Sequence, residues 1–296
     1  MADQLQGWIN NPAQVEVIKS QMVTPFFSAA APMIKGSGKG KIELLHMNFV
    51  KLGIPFPLRY QTIGDCVSQG TALAVDALKV TEIVNGDREL WINETSTEDI
   101  YSGSRVIVGK GRISGDGSIG AWAVKYISKD YYGTLVRKAY SFADLSKYSG
   151  QRARQWGSQK MPQALLDEAK LHPILDFTAV EDYQDVIDSI YNGYPVIICS
   201  NQGFSNKRDS DGFCAPKGSW AHCMMLIAFD DEYKRPGCLC VNSWGPAWVT
   251  GPKRHNQPDG SFWMDASIVD RIVKQGDSWA ISGYHGFKPK PNARVI

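Results

Sequence analysis

Three residues that together can run thiol chemistry occur in the order Cys66, His222, Asn242. A thiol nucleophile needs a base to take its proton, a group that fixes the base in one tautomer, and donors for the oxyanion. Cys66 follows a turn at Gly64 and opens an apolar-periodic run, so the spacing predicts a buried helix over residues 66–84 with the thiol in its first turn. A helix N-terminus presents unpaired N–H groups and a partial positive charge, which favour thiolate over thiol. On its own, such a cysteine is either a nucleophile or a small buried residue. His222 starts one apolar strand and Asn242 ends the next. A hairpin between them would bring the Asn242 amide oxygen to one ring N–H of His222 and aim the other ring nitrogen at Cys66.

The hydrophobic pattern predicts the elements that must position these side chains. Val67, Leu73, Ala74, Ala77, Leu78 and Ile83 make a broad helical face that stops at Asn85-Gly86. Pro55 and Pro57 predict an extended approach to the cysteine. Thr95-Ser96-Thr97-Glu98 fits a capping box for a helix reaching Arg105. A glycine-rich turn at 114–120 precedes a helix at 121–127; Gly133 ends it, and 134–142 reads as extended. Residues 144–176 are polar, contain one helix at 163–170, and read as a crossing between subdomains. A helix at 182–191 stops at Gly193-Tyr194-Pro195. Strands follow at 196–199, 221–229, 238–242, 260–264 and 278–281, with a helical turn at 268–273. Helices come first and strands second, which is an α+β order.

Residues 1–50 are mixed, with a short helix at 12–22, a break at 28–32 and a basic flexible segment at 35–41. That segment lacks a phosphate-loop ending, because Ile42 follows Lys41.

The 296 residues are 43% apolar and 21% charged, the balance of a folded globular chain. A net charge of +2 gives no field that would select nucleic acid or an anionic membrane as partner. No run approaches the ~18 apolar residues of a bilayer span. Residues 1–8 lack a basic region and an apolar core, so a cytoplasmic location is expected. The six cysteines read as reduced thiols: Cys199, Cys223, Cys238 and Cys240 as core, Cys214 as a loop cysteine open to oxidation. The Cys238/Cys240 spacing is not that of metal ligands, and no metal is expected. His46, His172, His255 and His285 read as structural, and Asp230-Asp231-Glu232 as a solvated hairpin tip.

The segments around Cys66, His222 and Asn242, with the Asn-Ser-Trp-Gly run at 242–245, resemble the papain-like cysteine peptidases. The interval from Cys66 to His222 slightly exceeds that family's roughly 130–150 residues, which a surface insertion accommodates. Gly115-Asp116-Gly117, Gly193-Tyr194-Pro195-Val196 and Asp259-Gly260-Ser261-Phe262-Trp263 are similar to further family segments, so the likeness covers about residues 50–287. It implies a papain-like fold. A helical left subdomain (about 51–150) and an antiparallel β-barrel-like right subdomain (about 175–287) would flank an active cleft. Residues 1–50 would be an arm or short pro-like extension, and 288–296 a tail.

The resemblance makes Cys66 the nucleophile, His222 its base and acid, and Asn242 the residue that orients His222. It implies a thiolate–imidazolium ion pair between Cys66 and His222. Trp244 would shield the Asn–His hydrogen bond from water, and Gln61 with the Cys66 N–H would form the oxyanion hole. Gly117, Ser118 and Ala221 would bind substrate backbone. The chain departs from the family in four places. Gln61 stands five residues before Cys66 rather than six; Asp65 puts a carboxyl beside the thiol; Val67 replaces an aromatic; and Ser118 replaces a glycine. The family's second cysteine and its loop partner are both missing, which suits a reducing compartment.

The implied activity is hydrolysis of a polypeptide through a Cys66 thioester, with no cofactor. Two other readings use the same fold. One is a structural or interaction protein of a phage or virus particle, docked to a partner through residues 1–50. The other is a transferase or deamidase using the same triad.

Overall fold

The structure, a computed structural model, describes residues 5–29 and 36–288. The start of the chain, part of the break at 28–32, Lys35 and most of the C-terminal tail lie outside the described residues.

The helical part is built around one buried helix. Helix α1 (Pro12–Lys19) starts at Asn11, whose side chain accepts from Gln14 N–H, with proline in its first turn. Strand β1 (Ile42–Leu44) and helix α2 (Met47–Leu52) lead to α3 (Cys66–Val84). Every residue of α3 from Cys66 to Thr81 is buried, because α2, α4 and α5 cover one side and the sheet covers the other. Asn85 and the positive φ of Gly86 end α3 where the sequence predicts.

Helix α4 (Glu98–Ser102) continues as a π-helical turn over Gly103–Val108. The capping box does not form. Thr97 rather than Thr95 precedes the helix, so Glu98 takes its first position; the Glu98 carboxylate accepts from Arg137, Ser96 and Thr97, and the Thr95 N–H donates to Asp76. Helix α5 (Gly120–Ile127) follows the glycine-rich turn. In the stretch predicted as extended, 134–142, only the two-residue strand β2 (Ala139–Tyr140) forms, paired with β3 (Ala143–Asp144) just past its end. Helices α6 (Gly150–Ser158) and α7 (Gln163–Ala169) complete this layer.

Strand β4 (Ile174–Ala179) and helix α8 (Tyr183–Tyr191) precede β5 (Val196–Arg208) and β6 (Cys214–Asp230). Then come β7 (Gly237–Val241), β8 (Ser261–Asp265), α9 (Ala266–Val273) and β9 (Ser278–Tyr284). The antiparallel sheet runs β4-β9-β5-β6-β7-β8, and β1 pairs with Ala228–Asp230 of β6 past the end of β5. Among the described residues this sheet stays open, so the barrel-like closure implied by the resemblance is not complete.

Two local readings are corrected. Cys214 lies on β6 and is buried, and burial pushes its thiol up to about 11, so it is no exposed oxidation site. Asp230 is not at a solvated tip. Its buried carboxylate accepts from Arg254 and faces His255 at 3.2 Å, which ties the hairpin to a distant loop.

Candidate active site

The β6–β7 register, with Met225 opposite Val241, carries on to set Asn242 across from Met224, so that His222, two residues along β6, is its diagonal neighbour on the same face. His222 Nε2 lies 2.8 Å from Asn242 Oδ1. An amide oxygen only accepts, so Nε2 carries the proton and Nδ1 is the lone-pair nitrogen of the neutral ring. Among the described residues Nδ1 has no hydrogen-bond partner, although it is buried. Trp244 lies over the imidazole, with ring centroids 4.4 Å apart. Trp220 and Trp248 pack on Trp244 and close that side to water.

Helix α3 packs on β6 beside His222. Gly70 allows this approach: a Cβ there would come within 3.3 Å of the Cys223 sulfur. Cys66 occupies the first position of α3 with its thiol fully buried, and the backbone amide of Cys223 reaches its sulfur.

Gln61 is held from both ends. Its backbone N–H donates to Ser243 O at 2.8 Å, and its Oε1 accepts from Ser243 Oγ at 2.6 Å. Nε2 donates to Ile63 O at 2.9 Å and to a second peptide carbonyl, Leu5 O, at 3.3 Å. The five-residue spacing to Cys66 therefore still delivers an amide N–H to a carbonyl lying in the cleft. Asp65 turns inward: Oδ2 accepts from Gln69 Nε2 and Tyr148 OH, and Oδ1 is buried with no partner among the described residues. Burial pushes this carboxyl up to about 7.

A segment of the chain itself, residues 5–9, lies against the residues that the resemblance assigns to the cleft. The N–H groups of Gly7 and Trp8 both donate to Ala221 O at 3.0 Å. Ser118 N–H donates to Gly7 O at 2.8 Å, and Ile9 N–H donates to Ser118 O at 2.8 Å, a parallel bridge centred on Trp8. Trp244 Nε1 donates to Leu5 O at 3.0 Å, and the Gln6 side chain accepts from Ala221 N–H at 2.8 Å. Gly7 lies flush on Gly64; a Cβ on Gly7 would sit 2.0 Å from the Gly64 carbonyl oxygen. Ser118, Ala221 and Gln61 thus all engage the backbone of residues 5–9, and a Cβ on Gly117 would meet Gly7 O at 2.9 Å.

Burial shifts both Cys66 and His222 toward their neutral forms. Burial pushes the Cys66 thiol well above its ordinary value, with Cys223 and Asp65 nearby adding to the shift. Burial also pushes His222 down to about 4, against the pull of Asn242. Both shifts favour the uncharged thiol and imidazole over the ion pair that the resemblance implies.

Sequence reasoning missed Ser243 and Tyr148, which hold Gln61 and Asp65, and it missed Trp8. Ser243 had a signal in the Asn-Ser-Trp-Gly run. Trp8 had none: its indole N–H donates to Asp277, 269 positions away. Among the described residues no cluster of three or more potential metal-binding side chains occurs, and no helix is long and apolar enough to cross a membrane.

The buried helix carrying a thiol, set against an antiparallel sheet that carries histidine and asparagine, is the papain-like fold. Xylellain, a cysteine protease from Xylella fastidiosa, superposes with a TM-score of 0.57 at 17% identity, covering 94% of this chain and 96% of that one. Digestive procathepsin L 3 of Tenebrio molitor larval midgut gives 0.49 at 13% identity, covering 81% of this chain and 69% of that one. No family model matches the sequence. No curated protein matches it either.

Proposed function

We propose that this chain is a cysteine peptidase whose cleft is closed by its own residues 5–9. The observation that carries the reading is the 2.8 Å His222–Asn242 bond, which leaves Nδ1 of a neutral ring without a partner among the described residues, one position before Cys223, the residue that neighbours Cys66. With the arm displaced, a substrate carbonyl takes the place that Leu5 O holds beside Gln61. Cys66 Sγ attacks the carbonyl carbon as its proton passes to His222 Nδ1. Gln61 Nε2 and the Cys66 N–H, one of the first-turn amides that α3 leaves without an acceptor, stabilise the oxyanion. His222 then protonates the departing amine, leaving a thioester. Water attacks that thioester, gives its proton to His222, and releases the acid and the Cys66 thiol.

Asn242 keeps the imidazole in one tautomer throughout, and Trp244 keeps water off the bond that does so. The test is reaction with a thiol-directed epoxide probe together with cleavage of a peptide library. Wild type should be labelled at Cys66 and cleave peptides once the arm is displaced, and Cys66→Ala should do neither. Labelling that survives Cys66→Ala removes Cys66 as nucleophile. Labelling without cleavage assigns the triad to acyl transfer or deamidation. Absence of both leaves a structural role for the fold.

A further inference from the structure

We propose that the pocket filled by Trp8 is a side-chain subsite for bound polypeptide, and that Asp277 at its floor selects tryptophan there. The inference rests on the reading of the cleft as a polypeptide site. Backbone pairing to Ser118 and Ala221 brackets Trp8 on both sides, so the side chain at that position has one place to go. The indole is 3% exposed, and its Nε1 donates to Asp277 Oδ2 at 2.8 Å.

Asp277 is built into the body of the protein rather than into the arm. Gly120 N–H donates to Oδ2 at 2.8 Å, Ala121 N–H to Oδ1 at 2.8 Å, and Trp279 Nε1 to Oδ1 at 2.7 Å. The carboxylate thus caps α5 and keeps three fixed donors when Trp8 is absent. The fourth donor comes only from whatever fills the pocket. Gly120 makes room for this floor, since a Cβ there would lie 2.8 Å from both Asp277 Oδ1 and the Cys199 sulfur.

The donor count decides the ligand. The α5 N-terminus and the Trp279 N–H already offset the Asp277 charge, so a second full charge is not called for. Arginine brings five N–H donors and lysine three, and a buried pocket with one open acceptor position would strand most of them. Phenylalanine brings none and leaves the Asp277 oxygen one donor short. Indole brings one donor on a large apolar ring, which matches the site on both counts.

The test uses the full chain carrying Cys66→Ala to stop chemistry, with Gly7→Ala and Trp8→Ala to expel the arm. Acetyl-Gly-Trp-Ile-amide, which copies residues 7–9, is titrated by calorimetry against analogues with phenylalanine, arginine or indole-N-methylated tryptophan at the centre. The tryptophan peptide should bind about tenfold or more tightly than each of the others. Asp277→Asn should bring the tryptophan and N-methyl peptides to equal affinity. If that variant loses α5 and unfolds, the N-methyl peptide still carries the test on an intact Asp277. Equal binding of the tryptophan and N-methyl peptides, tightest binding of the arginine peptide, or no binding at all overturns the proposal. Because binding is read without cleavage, a preserved tryptophan preference beside an inactive Cys66 protein would remove the peptidase reading and keep the subsite.

Discussion

Expelling residues 5–9 from the cleft should switch the protein on, and the structure sets the size of the effect. The perturbation is Gly7→Ala with Trp8→Ala in the full chain. An alanine Cβ at position 7 would lie 2.0 Å from Gly64 O and 2.5 Å from Gly64 C, both backbone atoms that cannot rotate away. Truncating a buried tryptophan costs about 3–5 kcal/mol, part of it because Asp277 loses one of its four donors. Taking the lower figure alone, the closed-to-open ratio of the arm falls by roughly 150-fold, at about 1.4 kcal/mol per factor of ten. The gain in open protein follows that factor until the open form dominates.

The assay is the rate of Cys66 alkylation by iodoacetamide at neutral pH, paired with kcat/KM on a fluorogenic peptide. Cys66→Ala serves as blank, since the other five cysteines are buried. Val17→Ala, at an exposed position of the same arm, serves as the neutral control. Both rates should rise by about two orders of magnitude in the double variant, or to a plateau if less than that is closed to begin with. An unchanged alkylation rate together with a lowered Tm would refute the reasoning. Trp8 would then be ordinary core, and the neutral Cys66–His222 pair would owe nothing to the arm.

Further outcomes follow from the same geometry. On the arm-expelled background, Gln61→Ala should lower kcat by about 10²–10³-fold with little change in KM, because the donor acts on charge that develops in the transition state. An effect confined to KM would place Gln61 in ground-state binding alone. Asn242→Ala frees the imidazole and leaves Nε2 without its 2.8 Å acceptor, so kcat should fall by about 10² or more. Survival of activity would show that Trp244 packing suffices to hold the ring. Asp65 titrates near 7 in the folded protein against 3.8 as its ordinary value, so its contribution to stability is present below 3.8 and is lost as pH rises through about 7. Asp65→Asn should therefore gain stability on wild type between about pH 4 and about pH 8, by roughly 2–4 kcal/mol in urea denaturation. Parallel stability curves for the two proteins would mean that Asp65 is ionised in the fold.

The pH behaviour of wild type ties the site together. His222 titrates near 4 when folded and near 6.5 when unfolded, so the unfolded chain binds the extra proton between those values and stability rises with pH there. Asp65 does the opposite over nearly the same window, because the folded chain holds the extra proton. The two slopes offset each other between about pH 4 and about pH 6.5, and Asp65→Asn should uncover the His222 slope by itself.

What could be read in the sequence was local. Helix α3 was legible to its ends because its apolar face and the Asn85-Gly86 stop agree. The His222–Asn242 bond was legible because one hairpin carries both residues as near neighbours. Helix α6 was not, since it buries only Gly150, Ala153, Trp156 and Gly157 and leaves its glutamine and arginine face outside. The far halves of β5 and β6 were not, since residues 215–219 of β6 are exposed and the pairing between the two strands shifts register there. The charge state of the site lay further still from the sequence. A thiolate–imidazolium pair follows from residue types only where water or another dipole supports the charges, and here Cys66 and His222 are both buried, with Gly7 and Trp8 pairing to Ala221 next to His222 in the chain. Neither residue carries a signal of its own. Gly7 has meaning only against Gly64, and Trp8 only against Asp277, contacts between segments 57 and 269 positions apart that no local spacing could announce.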